Sequence, residues 1–432
     1  MRGEGVYIWD SDGERYLDFS GQAAVNFIGH GVPAISEAVA GQASQLEFVH
    51  SSQFTTAIAE EYAAELLEFA GQHFRGGSVY FTSGGSEAVE TALKLARQYQ
   101  IEIGQSRRYH MLSRMQSYHG STLGALAVSG NARRREMYLP MAREFTHVGI
   151  PYRYRCLYNC LNGCTNCAEK CARELDKAID LSDGKAAAFI LEPISGATLG
   201  AAVPPERYLQ GIAEVCERTG VLLIADEVMT GMGRTGRNFA VDHWGVSPDI
   251  LVAAKGLASG YAPLGAVLAS EKIVAAIAQG SGAFLHGFTY NAHPLSLAAG
   301  REVLRYIRKH DLVRAADSAS AGTAANHLQS ALATLQDHRA VGDVRGIGLL
   351  WGVEFVADKT TKTPFFADLN FAGRIGEAAK KRGLLVYPMQ GSVNGHSGDH
   401  VLVAPPAVIT TAQIDWAVGR LRDVIEETCP AA

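Results

Sequence analysis

Two short apolar runs each end in a charge that could do chemistry. Val221–Ala225 leads into Asp226 and Glu227, and Ile250–Ala254 leads into Lys255. Runs of this length and bulk read as strands buried on both faces of a parallel sheet. Open α/β sheets gather their chemistry just beyond the carboxyl ends of the strands. A carboxylate and a lysine at two such ends can therefore face one cavity. The pair suits an aldehyde carried on a ring with a basic nitrogen. The lysine amine joins the aldehyde, and the acid keeps the ring nitrogen protonated so that the ring draws electrons. On this stretch alone, ordinary polar strand ends are an equal alternative.

Other residues add to the pattern. Ser78–Phe81 reads as a strand, followed by Thr82-Ser83-Gly84-Gly85-Ser86-Glu87 and a strongly helical AVETALKLAR. A Gly-Gly-Ser turn at a helix start is a seat for phosphate, because backbone N–H groups approach closely and the helix dipole favours an anion. A plain turn capped by Ser86 is the structural alternative. The strand candidate Tyr109–Met115 leads to Ser117-Tyr118-His119-Gly120, where Tyr118 can lie flat against a planar ring. Ala187–Leu191 is a further buried strand, ending in Glu192. Gly231, Gly233 and Gly236 spell GxGxxG, but no helix start follows them, which argues against a dinucleotide site.

These positions need a large frame. The chain has 432 residues, 47% of them hydrophobic and 19% charged, which fits a globular protein of two domains. A net charge of −5 gives no sign of nucleic-acid or membrane binding. The opening MRGEGVYIWD lacks a signal-peptide pattern and no apolar run approaches a membrane span, so a cytoplasmic protein is expected. Residues 6–10 and 15–19 read as a β-hairpin around Ser11-Asp12-Gly13. Thr55 or Thr56 caps a helix bearing Ile58, Tyr62, Leu66 and Phe69 on one face. Strands are expected at Gly265–Ala269, around His286–Tyr290, over Arg345–Glu354 and at Leu384–Tyr387. Five of the seven cysteines cluster at 156, 160, 164, 167 and 171. CxxxCxxC matches iron–sulfur spacing, but no second CxxC completes a zinc pattern, and packing or surface thiols without metal are expected.

Taken together these motifs resemble the class III aminotransferases of the aspartate-aminotransferase-like fold, fold type I. The resemblance runs through GVYIWDSDGERYLDFSGQ, TSGGSEAVETALKLAR, YHGSTLGAL, EPI, Ala225–Arg234, Lys255-Gly256, HGFTYNAHP and Ala404–Pro406. In the second of these, Gly84 stands where serine is more usual. It implies pyridoxal 5′-phosphate as cofactor and an α/β fold. A large domain over 51–300 would carry a mostly parallel seven-stranded sheet flanked by helices. A smaller α+β domain would be built from 1–50 and 301–432. By position, Lys255 resembles the Schiff-base lysine and Asp226 the acid at the ring nitrogen. Val228 and Tyr118 would sandwich the ring, with His119 beside them. Gly85 and Ser86 would hold the phosphate, Glu192 would lie near the substrate side, and Thr289 would reach the phosphate of a neighbouring subunit. A homodimer with shared sites follows from the last of these.

The implied activity is transfer of an amino group between a small primary amine and a keto or aldehyde partner by a ping-pong route. An isomerase on the same cofactor, or an ω-amino-acid aminotransferase, would use the same residues. Many family members carry an arginine before the APP motif to clamp a carboxylate. Here no Arg or Lys occurs between Arg382 and Arg420. The loop instead offers Gln390, Ser392, Asn394, His396, Ser397 and Asp399. These hydrogen-bonders favour an amino sugar or other polyhydroxylated amine without an α-carboxylate.

Overall fold

The computed structural model describes residues 1–156, 158 and 167–430. The chain opens with β1 (Arg2–Glu4), β2 (Tyr7–Trp9) and β3 (Arg15–Asp18), the last two paired antiparallel as the expected hairpin. Seven strands then form the central sheet: β4 (Ser78–Thr82), β5 (His110–Arg114), β6 (Thr146–Val148), β7 (Ala186–Leu191), β8 (Leu222–Asp226), β9 (Ile250–Ala253) and β10 (Gly265–Ala269). Their order is β4-β10-β9-β8-β7-β5-β6. Only β10 runs against the others, pairing antiparallel with both β4 and β9. Every residue of β7, β8 and β9 is buried, as strands covered on both faces require.

The helix Gly85–Glu102 follows β4 and packs Ala88, Val89, Ala92, Leu93 and Ala96 inward at helical spacing. Thr56 caps the helix Ala57–Ala70 by accepting from the Ala59 N–H. On the other side, Cys167–Leu181 and Tyr208–Thr219 cover β7 and β8. Cys167 and Cys171 are buried in this layer, and the Cys156 and Cys167 sulfurs lie 3.4 Å apart. Cys160 and Cys164 fall outside the described residues. Among the described residues no three metal-ligating side chains converge, and no helix is long and apolar enough to cross a membrane.

The termini meet. β13 (Leu384–Leu385) pairs parallel with β3, and the Ala404 N–H donates to the Phe19 carbonyl at 2.9 Å. A second sheet has the order β11 (Val341–Ile347), β12 (Leu350–Phe355), β15 (Asp399–Val403), β14 (Tyr387–Gln390). Two expectations are corrected here. Arg345–Glu354 is the turn of a hairpin rather than one strand, because Gly348 at φ 65° reverses the chain between β11 and β12. The segment around His286–Tyr290 is irregular and contains no strand.

The glycines after β8 have a packing role. Gly236 sits at φ 87°, and a Cβ there would lie 2.6 Å from the Asp317 Cα. Among them Arg234 is 1% exposed and donates to the carbonyls of Asn26, Leu349, Ala404 and Pro405. One guanidinium thus satisfies four backbone acceptors from both ends of the chain and ties them to the β8–β9 stretch.

Candidate active site

Five segments leave the sheet at the carboxyl ends of parallel strands and enclose a cavity of about 520 Å³. β8 ends at Asp226, and Lys255 lies two residues beyond β9. Glu192 follows β7, Tyr118 and His119 follow β5, and Ser83 and Gly84 join β4 to a helix that opens on Gly85 and Ser86. Lys255 adopts φ 40°, rare for a side chain with a Cβ. Such backbone strain is held only where the surroundings over-determine it.

Asp226 is 4% exposed and fixed from two sides. Its Oδ2 lies 2.7 Å from His119 Nδ1, and its Oδ1 accepts from the Val228 N–H at 3.1 Å. His119 is itself held by its own N–H, which donates to Ser129 Oγ at 2.8 Å. Its Nε2 is buried without a partner among the described residues. Glu192 Oε1 accepts from the Gly196 N–H at 3.0 Å and Oε2 from the Tyr118 N–H at 3.4 Å. Burial pushes its carboxyl above the usual range.

Lys255 lines the same cavity and is half-buried. Desolvation pulls its amine from 10.5 down to about 8. The Asp226 and Glu192 charges oppose that fall, and Arg134 assists it. A lysine so tuned is a workable nucleophile and proton carrier near neutral pH.

The residues present fit pyridoxal phosphate. Gly84 caps the helix Gly85–Glu102 with no side-chain hydrogen bond, so the first-turn N–H groups remain available to an anion. A Cβ on Gly84 would meet nothing within 4 Å, so the cradle is open there. On Gly120, at φ 137°, a Cβ would lie 2.6 Å from Ser86 Oγ. Ser86 Oγ accepts from the Ser121 N–H at 3.1 Å, which leaves its own proton to donate. Val228 packs against Gly85, where a Cβ would come within 3.3 Å of both its methyl groups.

The cavity brings together Gly85, Ser86, Tyr118, His119, Glu192, Asp226, Val228 and Lys255. It does not include Thr289, which is exposed. The cavity adds Arg134, whose guanidinium lies 4.3 Å above the Tyr118 ring. Sequence reasoning passed over this residue. The available signal was Asn131, a helix cap followed by Ala132 and then Arg133, Arg134 and Arg135.

The loop Gln390–His400 does not line this cavity; from that region only Tyr387 reaches it. Asp399 is buried and accepts from the Ala372 N–H at 2.9 Å and Gln390 Nε2 at 3.2 Å. Asn394 accepts from the N–H groups of His396 and Ser397 at 2.9 and 2.7 Å. Asp399 and Asn394 thus serve the sheet and the loop, and the cavity lining gives no support to the expected amino-sugar substrate.

Comparison with known proteins agrees with the geometry. Residues 1–425 match the model of the class III aminotransferases. The uncharacterised aminotransferase YodT of Bacillus subtilis is 40% identical over 98% of this chain and 93% of its own. A putrescine–pyruvate aminotransferase of Pseudomonas aeruginosa is 34% identical over 100% of this chain and 91% of its own. An amine transaminase from an uncultivated Pseudomonas species, solved with the cofactor bound, superposes with a TM-score of 0.91 at 35% identity, covering 99% of this chain and 94% of that one. An (S)-enantioselective ω-transaminase from Thermomicrobium roseum gives 0.90 at 35% identity, covering 100% and 92%. The chain belongs to the class III aminotransferases and is a pyridoxal-phosphate-dependent transaminase of fold type I.

Proposed function

We propose that this transaminase moves an amino group from a primary amine to an α-keto acid in two half-reactions that alternate on Lys255. The observation that carries the reading is the Lys255 amine, lowered to about 8, lining one cavity with the Asp226–His119 pair. Pyridoxal phosphate, when bound, supplies an aldehyde for the amines and a ring that accepts the electron pair left at the substrate carbon. Gly85 and Ser86 would hold its phosphate at the helix start, and Tyr118 and Val228 its two faces. Asp226, oriented by His119, would hold a proton on the ring nitrogen. Lys255 Nζ would take the proton from the substrate carbon as general base and deliver it as general acid to the carbon that had carried the aldehyde, two bonds away. Glu192, kept protonated more readily by burial, would lie near the substrate side of the ring.

The putrescine–pyruvate relative and the ω-transaminase neighbours support an amine donor whose reacting nitrogen need not sit beside a carboxylate. Loss of the loop argument leaves nothing in favour of a sugar. Thr289 lies on an exposed segment with Leu285 at 81% and Tyr290 at 59% exposure, which supports its service to a second copy in a homodimer. The test supplies 1-butylamine or putrescine with pyruvate and counts alanine formed against amine lost. One alanine per amine, with parallel-line kinetics, is expected. Migration of the amino group to another carbon without alanine would point to an isomerase instead.

A further inference from the structure

We infer that Arg134 is the residue that binds the keto-acid carboxylate, taking the place left empty by the loop before Ala404–Pro406. This rests on the transaminase reading of the site and adds the group that fixes its acceptor.

A carboxylate entering the cavity must meet a paired charge. The lining that this chain contributes offers two cations, Lys255 and Arg134. Lys255 is committed to the transferred nitrogen and proton, so the remaining cation is Arg134. The surroundings of this guanidinium differ from those of other arginines in the fold. Arg345 and Arg155 are both committed to Glu354, and Arg234 to backbone carbonyls. Among the described residues Arg134 pairs with no carboxylate, and its guanidinium contact is the Tyr118 ring at 4.3 Å. A cation over a ring uses charge against the quadrupole and spends none of its N–H donors. The five donors of the fork stay available for a planar, bidentate carboxylate.

The backbone under Arg134 is fixed. Asn131 is 4% exposed, accepts from the Arg134 N–H at 3.2 Å, and donates to Gln116 Oε1 at 3.2 Å. Arg134 also lines a second cavity of about 500 Å³, with Asn131, Arg133, Asn370 and Gln390 in its wall. It therefore stands in the partition between the two. Arg133 is occupied there by Gln390 Oε1 at 3.1 Å and does not reach the first cavity. This makes Arg133 the matched control, with the same charge one residue away. The influence of Arg134 on Lys255 places its charge within electrostatic range of the reacting amine. The Tyr118 ring then links the two jobs, because it touches both the cofactor position and the guanidinium that orients the acceptor.

The experiment uses the holoenzyme and the variants Arg134→Gln, Arg134→Lys and Arg133→Gln. Two readouts are taken: KM and kcat for pyruvate, and the Kd for propionate, an unreactive carboxylate, by calorimetry. Arg134→Gln should raise both the pyruvate KM and the propionate Kd by roughly 10- to 100-fold, the range for a charge-assisted pair, with a smaller change in kcat. Arg134→Lys should recover part of the loss, and Arg133→Gln should stay within about twofold. A pyruvate KM and propionate Kd unchanged in Arg134→Gln would overturn the assignment. Equal losses in Arg133→Gln would also overturn it, since they would show a general positive field rather than a pair. If the wild-type enzyme converts no keto acid, the transfer reading fails, while the propionate arm still decides whether Arg134 holds a carboxylate.

Discussion

The most informative perturbation is a change of pH read at Lys255 itself. Burial disfavours the ammonium form, so the folded protein releases that proton at about 8 instead of 10.5. At pH 7.5 a group of pKa about 8 is neutral in about a quarter of molecules, and one of 10.5 in about one in a thousand. The neutral fraction of Lys255 should therefore exceed that of an exposed lysine by roughly 200-fold at that pH. Competitive labelling of the cofactor-free protein with trace acetic anhydride measures this directly. Acetylation of the Lys255 peptide, read by mass spectrometry against exposed lysines, should rise with pH and reach half its plateau near 8. The charged neighbours set two further signs. Asp226→Asn removes a charge that favours the ammonium and should lower the midpoint, while Arg134→Gln should raise it. A midpoint near 10.5, or a rise in Asp226→Asn, would refute the electrostatic account of this lysine.

Asp226→Asn should leave the thermal midpoint close to wild type but cut kcat/KM on the order of 10²- to 10³-fold, the usual scale for losing one preorganised electrostatic partner. Gly120→Ala places a Cβ 2.6 Å from Ser86 Oγ at φ 137°, so it should cost about 1–3 kcal/mol in denaturant unfolding and weaken cofactor affinity as well. Glu227 is pushed up to about 7 by burial, although Thr230 Oγ1 and the Val241 N–H donate to it. Its raised value makes its contribution favourable below the unfolded value of 4.5 and lost as pH rises through about 7. Glu227→Gln should therefore raise the thermal midpoint at pH 8 and change it little at pH 4, and an equal effect at both would contradict this sign.

Much of the site was legible because its residues sit at the ends of strands that are apolar throughout. β8 and β9 are buried on both faces, so the first charge after each run marks the sheet edge. The turn expected to seat a phosphate was equally plain, since Ser83 and Gly84 separate β4 from an amphipathic helix that opens on Gly85 and Ser86. What sequence could not disclose was pairing between distant segments. His119 was noted, but its bond to Asp226 spans 107 positions. Arg134 belongs to a four-residue helix whose three arginines look alike in sequence, and only the fold turns one of them over Tyr118. The loop ending at His400 misled for a physical reason. Polar residues there suggested solvent or substrate, yet β15 lies inside its sheet between β12 and β14, so Asp399 and His400 are buried. The Arg345–Glu354 segment read as one strand because Gly348 interrupts an otherwise continuous apolar pattern by its φ alone.

The central claim is that Lys255 is the group joined to the cofactor and the carrier of the substrate proton. Holoenzyme reduced with borohydride, digested and analysed by mass spectrometry tests it most directly. The account predicts a phosphopyridoxyl mass on the Lys255 peptide alone, and none anywhere in Lys255→Ala treated the same way. A modified lysine elsewhere in the wild type, or a persisting covalent adduct in Lys255→Ala, would contradict it.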